Sequence, residues 1–347
     1  MLKVNKKSFI DALSVTNRAV SSRGSMPALQ HIRLHMEKNK GTLTGTDLES
    51  TIVYPVEGNC AKQVDVLLPA KKLLDVLKNV QSNEEVVNIE IRKENVAINH
   101  AVMNTLPANE FPVLPEVKES IKLTLQGFEL ALKRVMVAAG ESDSRYVLNT
   151  VLLDFKNNVL VATDGHRLHK LNYKFDIEHE QVLLPIATAK LIKGDSIKAS
   201  ITPSTGIFDN RQYTVYCRFI EGTYPDWKVV IPKESTIKIT ANRKELMELA
   251  NESIPMTRER GSAGRIEVRK GRLSIESINP ELGFNKAAIN AESTTPGNFV
   301  FGINLMYLLE TLEQLKEKKV TLQMTDPIAP IKIVEKEFLA LIMPMRI

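Results

Sequence analysis

The sequence predicts an α+β fold built from three tandem copies of one domain, each with two helices packed on an antiparallel sheet. Two helix patterns, a strand-to-turn ending and a closing proline motif recur in fixed order at nearly constant spacing. β-Branched runs fill the intervals between them. A period of domain size marks a tandem domain repeat and not a short solenoid.

The first element of each copy is an amphipathic helix. Lys7 to Val20 carries apolar residues at Phe9, Ile10, Leu13 and Ala19, close to helical period. Gly127 to Ala139 repeats the pattern and Arg243 to Ala250 starts a third, so that Phe9, Phe128 and Glu245 stand 119 and 117 positions apart. A strand running into a turn follows, as Leu43-Thr44-Gly45-Thr46-Asp47 and Val161-Ala162-Thr163-Asp164, with the aspartates 117 apart. The second helix is entered from an extended stretch, in Val66 to Leu74, Val182 to Lys190 and Phe299 to Leu309. Pro69 and Pro185, 116 apart, are expected in the first helical turn, where a missing N–H costs nothing. The copies close on Asn109 to Pro115, on Gly222 to Trp227 with Val230-Ile231-Pro232, and on Ile342-Met343-Pro344. Ile89 to Arg92, Val96 to Ile98, Val151 to Phe155 and Ile237 to Ile239 read as strands. The domains expected are 1–119, 120–235 and 236–347.

With 43% hydrophobic and 25% charged residues, all 347 residues can be globular. No stretch reaches the ~18 apolar residues of a membrane span. The start, MLKVNKKSFIDALSV, is interrupted by Asp11 and has no cleavage-type site, so it does not read as a signal peptide. Cys60 and Cys217, 157 positions apart, argue against a disulfide framework and a cysteine-based zinc site. A cytoplasmic setting is the expectation.

Basic and acidic residues number 15 and 14 in the first copy, 15 and 13 in the second, and 16 and 14 in the third. No copy is a basic tail, so affinity for nucleic acid has to come from a face. Cations do recur along the helix patterns: Arg18 and Arg23; Lys71, Lys72 and Lys78; Lys133 and Arg134; Lys190 and Lys193; Arg243 and Lys244; Lys316, Lys318 and Lys319.

The densest polar cluster is Ala162-Thr163-Asp164-Gly165-His166-Arg167-Leu168-His169. A catalytic reading makes His166 a general base oriented by Asp164, or joins His169 in a metal site, as in a metal-dependent phosphoesterase. No phosphate-binding Gly-rich loop, Gly-x-Ser-x-Gly or His-Glu-x-x-His accompanies it. The first copy has Gly45-Thr46-Asp47-Leu48-Glu49 at the matching place, so Thr-Asp reads as a structural turn and His-Arg-Leu as an addition special to the second copy.

Here a resemblance appears. Leu43 to Glu49, Ala162 to Leu168, Leu106-Pro107-Ala108 with Phe111-Pro112, Arg145-Tyr146 with Leu148-Asn149, and the ending Met343-Pro344-Met345-Arg346-Ile347 resemble the bacterial DNA polymerase sliding clamp, the β subunit. These motifs span all three copies. The resemblance implies a head-to-tail homodimer whose six domains form a ring around duplex DNA, helices lining the hole and sheets outside. It implies no catalysis, no cofactor and no metal, and as partners a clamp loader, DNA polymerase and other proteins with clamp-binding motifs. Domain size agrees: a radius of gyration of ~13 Å per domain leaves a hole of roughly 34 Å in a ring of six, against about 5 Å in a ring of three. Sparse cations on the lining suit sliding, since many phosphate contacts make binding strong and salt-dependent.

The resemblance also implies two sets of residues. Arg23 and Tyr146 match DNA-contacting positions, with Lys71, Lys72, Lys133, Arg134, Lys190 and Lys193 facing DNA by charge. A groove between the second and third domains captures partner peptides. Its walls are Leu148, Thr163, Gly165, His166, Arg167, Leu168 and Pro232 on one side, and Asn304, Tyr307, Met343, Pro344, Met345, Arg346 and Ile347 on the other. Methionines adapt to varied apolar ligands, and His166 and Arg167 offer polar contacts at the rim. Three departures stand out: Ile347 replaces the common leucine, Asn99 to Asn104 lacks the charged residues expected near the dimer edge, and the net charge of +5 is unusual for the family. A third reading, a clamp-like competitor that binds clamp partners without encircling DNA, rests on the same motifs.

Overall fold

The computed structural model describes residues 1–21, 26–79, 85–114, 117, 119–177, 179–257, 261–295 and 297–346. They form two compact units, Met1–Glu129 with Ala187–Phe219, and Leu130–Ile186 with Ile220–Ile347. Each unit is a set of antiparallel strands with helices on them, as the repeat pattern predicts.

In the first unit, helix Lys6–Thr16 starts at Asn5, whose Oδ1 accepts the Ser8 amide at 3.0 Å. It buries Phe9, Ala12, Leu13 and Thr16, while helix Ala70–Asn79 buries Leu73, Leu74 and Leu77. Both faces join one core with Leu2, Ile32, Leu34, Leu43, Leu68, Ile89 and Ile98. Nine strands form the larger sheet among the described residues. Within it Ser50–Glu57 of the first copy pairs with Thr214–Arg218 of the second, Ser50 opposite Cys217 and Val53 opposite Thr214. Among the described residues the smaller sheet ends on the edge strand Ala101–Asn104, which pairs with Asn95–Ile98.

In the second unit twelve strands form one sheet among the described residues. Strand Arg167–Asn172 of the second copy pairs with Phe338–Ile342 of the third, Arg167 opposite Ile342 and Leu171 opposite Phe338. Helix Arg243–Ser253 is capped by Asn242, which accepts the Lys244 amide at 2.9 Å. Helix Leu305–Glu313 is capped by Asn304, which accepts the Tyr307 amide at 3.1 Å. Strand Gly283–Ser293 pairs with Arg272–Asn279 along residues 283–290 and meets Ile237–Asn242 only at Ala291–Ser293.

Three details differ from the sequence expectation. Pro69 and Pro185 each end a strand directly before a helix, the capping place that Asn304 holds in the third copy, and do not enter the first turn. The helix expected through Lys190 is one turn, Ile186–Ala189, after which the Leu191 amide bonds Thr188 O in a tighter turn. The middle copy contributes Ile121–Gln126, Ser196–Ile201, Thr205–Asp209 and Thr214–Arg218 to the sheet of the first unit, and Thr150–Asp154, Val159–Thr163, Arg167–Asn172 and Val182–Pro185 to that of the second. Main-chain ladders across the repeat junctions make those groupings.

Candidate functional site

The turn Thr163 to Arg167 is built by its own side chains. Asp164 Oδ1 accepts the amides of His166 at 2.8 Å and Arg167 at 2.9 Å. Thr163 Oγ1 accepts the Gly165 amide at 3.0 Å and donates to Arg167 O at 2.6 Å. Short polar side chains that bond the backbone two or three residues on favour such a turn over continued strand. Gly165 has φ +88, a left-handed backbone that favours glycine, and a Cβ there would stand 3.2 Å from the Arg145 guanidinium.

Arg167 points from this turn toward helix Leu305–Glu313. Its Nε donates to Asp164 Oδ2 at 3.0 Å, its Nη1 donates to Glu310, and its guanidinium carbon lies 4.2 Å from the Tyr307 ring centroid. With a side chain 10% exposed, this charge is nearly enclosed and needs those partners. Desolvation, with Asp164 close by, raises the Tyr307 phenol above its usual range.

The opposite wall is the end of the third copy. After strand Phe338–Ile342, the Met343 amide donates to His166 O at 2.8 Å and the Met345 amide donates to Gly302 O at 2.9 Å. The tail is thus tied to the turn and to strand Phe299–Asn304, with the Met343 side chain 40% exposed. Leu168 of the turn's strand and Leu341 before the tail belong to one cluster with Leu152, Val161 and Tyr224, edged by Val147, Trp227 and Ile231. Burial pushes the Tyr224 phenol well up.

Of the groove residues expected, Thr163, Gly165, His166, Arg167 and Leu168 share one turn and strand; Met343 bonds to that turn and Met345 to Gly302. Asn304 and Tyr307 form the start of the facing helix. Leu148 and Leu168 are buried. Pro232 is half-buried and its carbonyl accepts Lys332 Nζ at 3.1 Å. Ile347 lies outside the described residues. Sequence reading missed Glu310, Tyr224, Trp227 and Ile231 as site residues. Glu310 stands three positions after Tyr307, on the same helix face, and Tyr224 and Trp227 sit in the closing motif of their copy.

The catalytic alternative fails on geometry. His169 is fully buried; its Nδ1 donates to Arg134 O at 2.9 Å, and its Nε2 accepts from Thr311 Oγ1 at 3.0 Å. A carbonyl can only accept, so Nδ1 carries the proton. Burial lowers this imidazole to about 4. Both Asp164 oxygens are held by the turn and by Arg167, so Asp164, His166 and His169 do not converge. Among the described residues no group of three or more His, Cys, Asp or Glu could hold a metal ion.

The residues expected to face DNA divide. Lys71, Lys72, Lys133, Lys190 and Tyr146 have exposed side chains. Lys193 pairs with Glu129 at 3.4 Å. Arg23 lies outside the described residues. Arg134 departs from the expectation: its Nε donates to Gln314 O at 3.1 Å, it pairs with Glu335 at 3.4 Å, and it covers the Phe338 ring at 4.5 Å. It faces inward on its helix, only 15% exposed, as a packing residue.

Comparison with known proteins places the whole chain. Sequence profiles of the DNA polymerase III beta subunit match in order, the N-terminal domain at residues 1–115, the central domain at 122–226 and the C-terminal domain at 228–346. The beta sliding clamp of Pseudomonas putida is 27% identical, covering 93% of this chain and 92% of its own. That of Staphylococcus epidermidis is 26% identical, covering 99% and 98%. The crystal structure of the DNA polymerase III subunit beta from Pseudomonas aeruginosa superposes with a TM-score of 0.88 at 25% identity, covering all of both chains. A Pseudomonas aeruginosa sliding clamp bound to griselimycin gives 0.89 at 25% identity, covering 99% of each.

Proposed function

The chain belongs to the DNA polymerase III beta-subunit family, the bacterial sliding clamps, and on that premise we propose that it encircles duplex DNA as a head-to-tail homodimer. It tethers replicative polymerase and other partners without catalysing a reaction. Duplex DNA is held by topology, independent of sequence, and a clamp loader opens the ring. Partner peptides dock in the groove formed by the turn Thr163 to Arg167, by Tyr307 and by Met343 to Ile347. Lys71, Lys72, Lys133, Lys190 and Tyr146 are the residues proposed to face DNA, with Arg23 and Lys193; Arg134 is withdrawn. The repeats 1–119, 120–235 and 236–347 are the units of the ring, and the cytoplasm is the proposed setting.

One observation carries the ring. Both junctions inside the chain join the fourth strand of one copy to the third strand after the second helix of the next, in equivalent register: Ser50 opposite Cys217, and Arg167 opposite Ile342. The same two strands of the outer junction are Gly283–Ser293 and Ala101–Asn104. Among the described residues, the first has a ladder partner on one side only along 283–290, and the second is a sheet edge. Such edges invite pairing with another chain. Two chains joined at both ends by the internal rule close head to tail.

Two measurements test the reading. Sedimentation equilibrium should give a dimer, and loaded protein should remain on circular DNA yet slide off linear DNA. A strict monomer, or equal loss from both DNAs, rejects encirclement and favours the competitor reading.

A further inference from the structure

The turn of the third copy is built like that of the second, yet the side chains beside it stand open. Asn279 Oδ1 accepts the amides of Glu281 at 3.0 Å and Leu282 at 3.2 Å, as Asp164 Oδ1 does for His166 and Arg167. Ile278 pairs with Phe284 across the turn, as Thr163 pairs with Leu168, so Phe284 holds the place of Leu168. Their burial differs. Leu168 is 3% exposed, in one cluster with Leu341 and Leu339 of the next copy. Phe284 is 71% exposed, with Ile278 at 58% beside it. Asn285 and Ser277 bond Glu252 O and Ser253 O of helix Arg243–Ser253, so strand alternation turns Phe284 and Ile278 to the face away from that helix.

The edge strand Ala101–Asn104 carries a matching half. It follows a two-residue hairpin from Ile98, with Asn99 left-handed at φ +50; Phe338–Ile342 follows the same hairpin from Glu335, with Lys336 at φ +52. Val102 therefore holds the place of Leu339, and Asn104 that of Leu341. Met103 packs on the core of its own unit, so Val102, 58% exposed, points to the opposite face. At the second junction Leu168 stands opposite Leu341 and diagonal to Leu339. The same register between the two open edges sets Phe284 opposite Asn104 and diagonal to Val102, within reach of an aromatic side chain. Neither residues 101–104 nor residues 282–285 include a charged side chain, and Lys286 has a partner in its own sheet, Glu276 at 3.8 Å.

We infer that Phe284 of one chain packs on Val102 of a second copy, with Ile278 beside it, so that apolar burial and not charge pairing closes the contact between copies. This rests on the head-to-tail reading and names what holds it. Apolar burial is not screened by salt and weakens on cooling, whereas exposed charge pairs lose strength as ionic strength rises.

The test is sedimentation velocity on the full-length protein, with Phe284→Ser, Val102→Ser and the double variant. The dimer Kd should change less than about threefold between about 0.05 M and about 1 M NaCl. Each single variant should raise it at least about tenfold. The double variant should raise it little further, because both changes remove one contact. Phe284→Leu should retain most of the affinity. A Kd unchanged in Phe284→Ser, or losses that add in the double variant, overturns the contact. A Kd that climbs steeply with salt assigns closure to charge pairs and overturns it as well. If Phe284→Ser dimerises like the native chain while Val102→Pro does not, edge-strand pairing stands without the apolar contact. A native chain that is monomeric at every concentration rejects the head-to-tail reading itself, and the contact with it.

Discussion

Arg167 and Tyr307, from different copies of the repeat, are stacked, with the guanidinium carbon 4.2 Å from the ring centroid. The same guanidinium bonds Asp164 beneath it and Glu310 beside it. One side chain thereby ties the turn of the second copy to the helix of the third. Arg167→Lys should be poorly tolerated, because an ammonium cannot stack flat while donating in two directions. Arg167→Ala should lower stability by about 2 kcal/mol, read by urea unfolding, and should weaken polymerase-peptide binding in calorimetry. Unchanged peptide affinity in both variants rejects the role given to Arg167.

Met343 is exposed on the wall opposite that stack. Met343→Ala and Met345→Ala should each weaken a polymerase-derived peptide roughly tenfold, or about 1.4 kcal/mol. The dimer should be intact by sedimentation. Undiminished affinity rejects the groove assignment.

His169 makes stability depend on pH. Its folded value, about 4, lies below the ordinary value of about 6.5 because burial disfavours the charged ring. Between these values the unfolded chain binds the extra proton. The stabilisation is therefore complete above pH ~6.5 and declines as pH falls toward 4, by up to about 3 kcal/mol. Urea midpoints measured from pH 7.5 to 4.5 should fall for the native chain and fall less for His169→Gln. Parallel curves would remove His169 as the cause.

Ring closure through the edge strands has its own test. Proline at Val102 is compatible with an edge strand but removes a ladder donor. Val102→Pro should shift sedimentation from dimer toward monomer while peptide binding at the groove persists. A dimer of native affinity would place closure elsewhere.

The proposed lining cations act through counterion release. Replacing Lys71, Lys72 and Lys133 by glutamine should reduce the salt slope of DNA binding by roughly 3, with the peptide site unaffected. An unchanged slope takes these lysines off the DNA path.

Much of the molecule was legible in its sequence. Helix period marked Lys6–Thr16 and Arg243–Ser253, the Thr-Asp motif marked both turns, and the spacing of about 117 residues marked the repeat. These features are local: capping, periodicity and turn chemistry act within a few residues of their own position. The groove was legible only through its resemblance to a family, since its walls come from positions more than 130 residues apart.

Tertiary structure alone decided the rest. Lys133 and Arg134 are neighbours in sequence and equal in charge, yet one is exposed and the other covers Phe338 and bonds Gln314. Helix rotation against a distant strand made that choice. The strand groupings of the middle copy depend on main-chain bonds to Ser50–Glu57 and Phe338–Ile342, which every residue type can make and composition therefore does not encode. Three similar copies, a turn and a tail were determined by sequence. That the copies join in one register was determined only by the ladders between them.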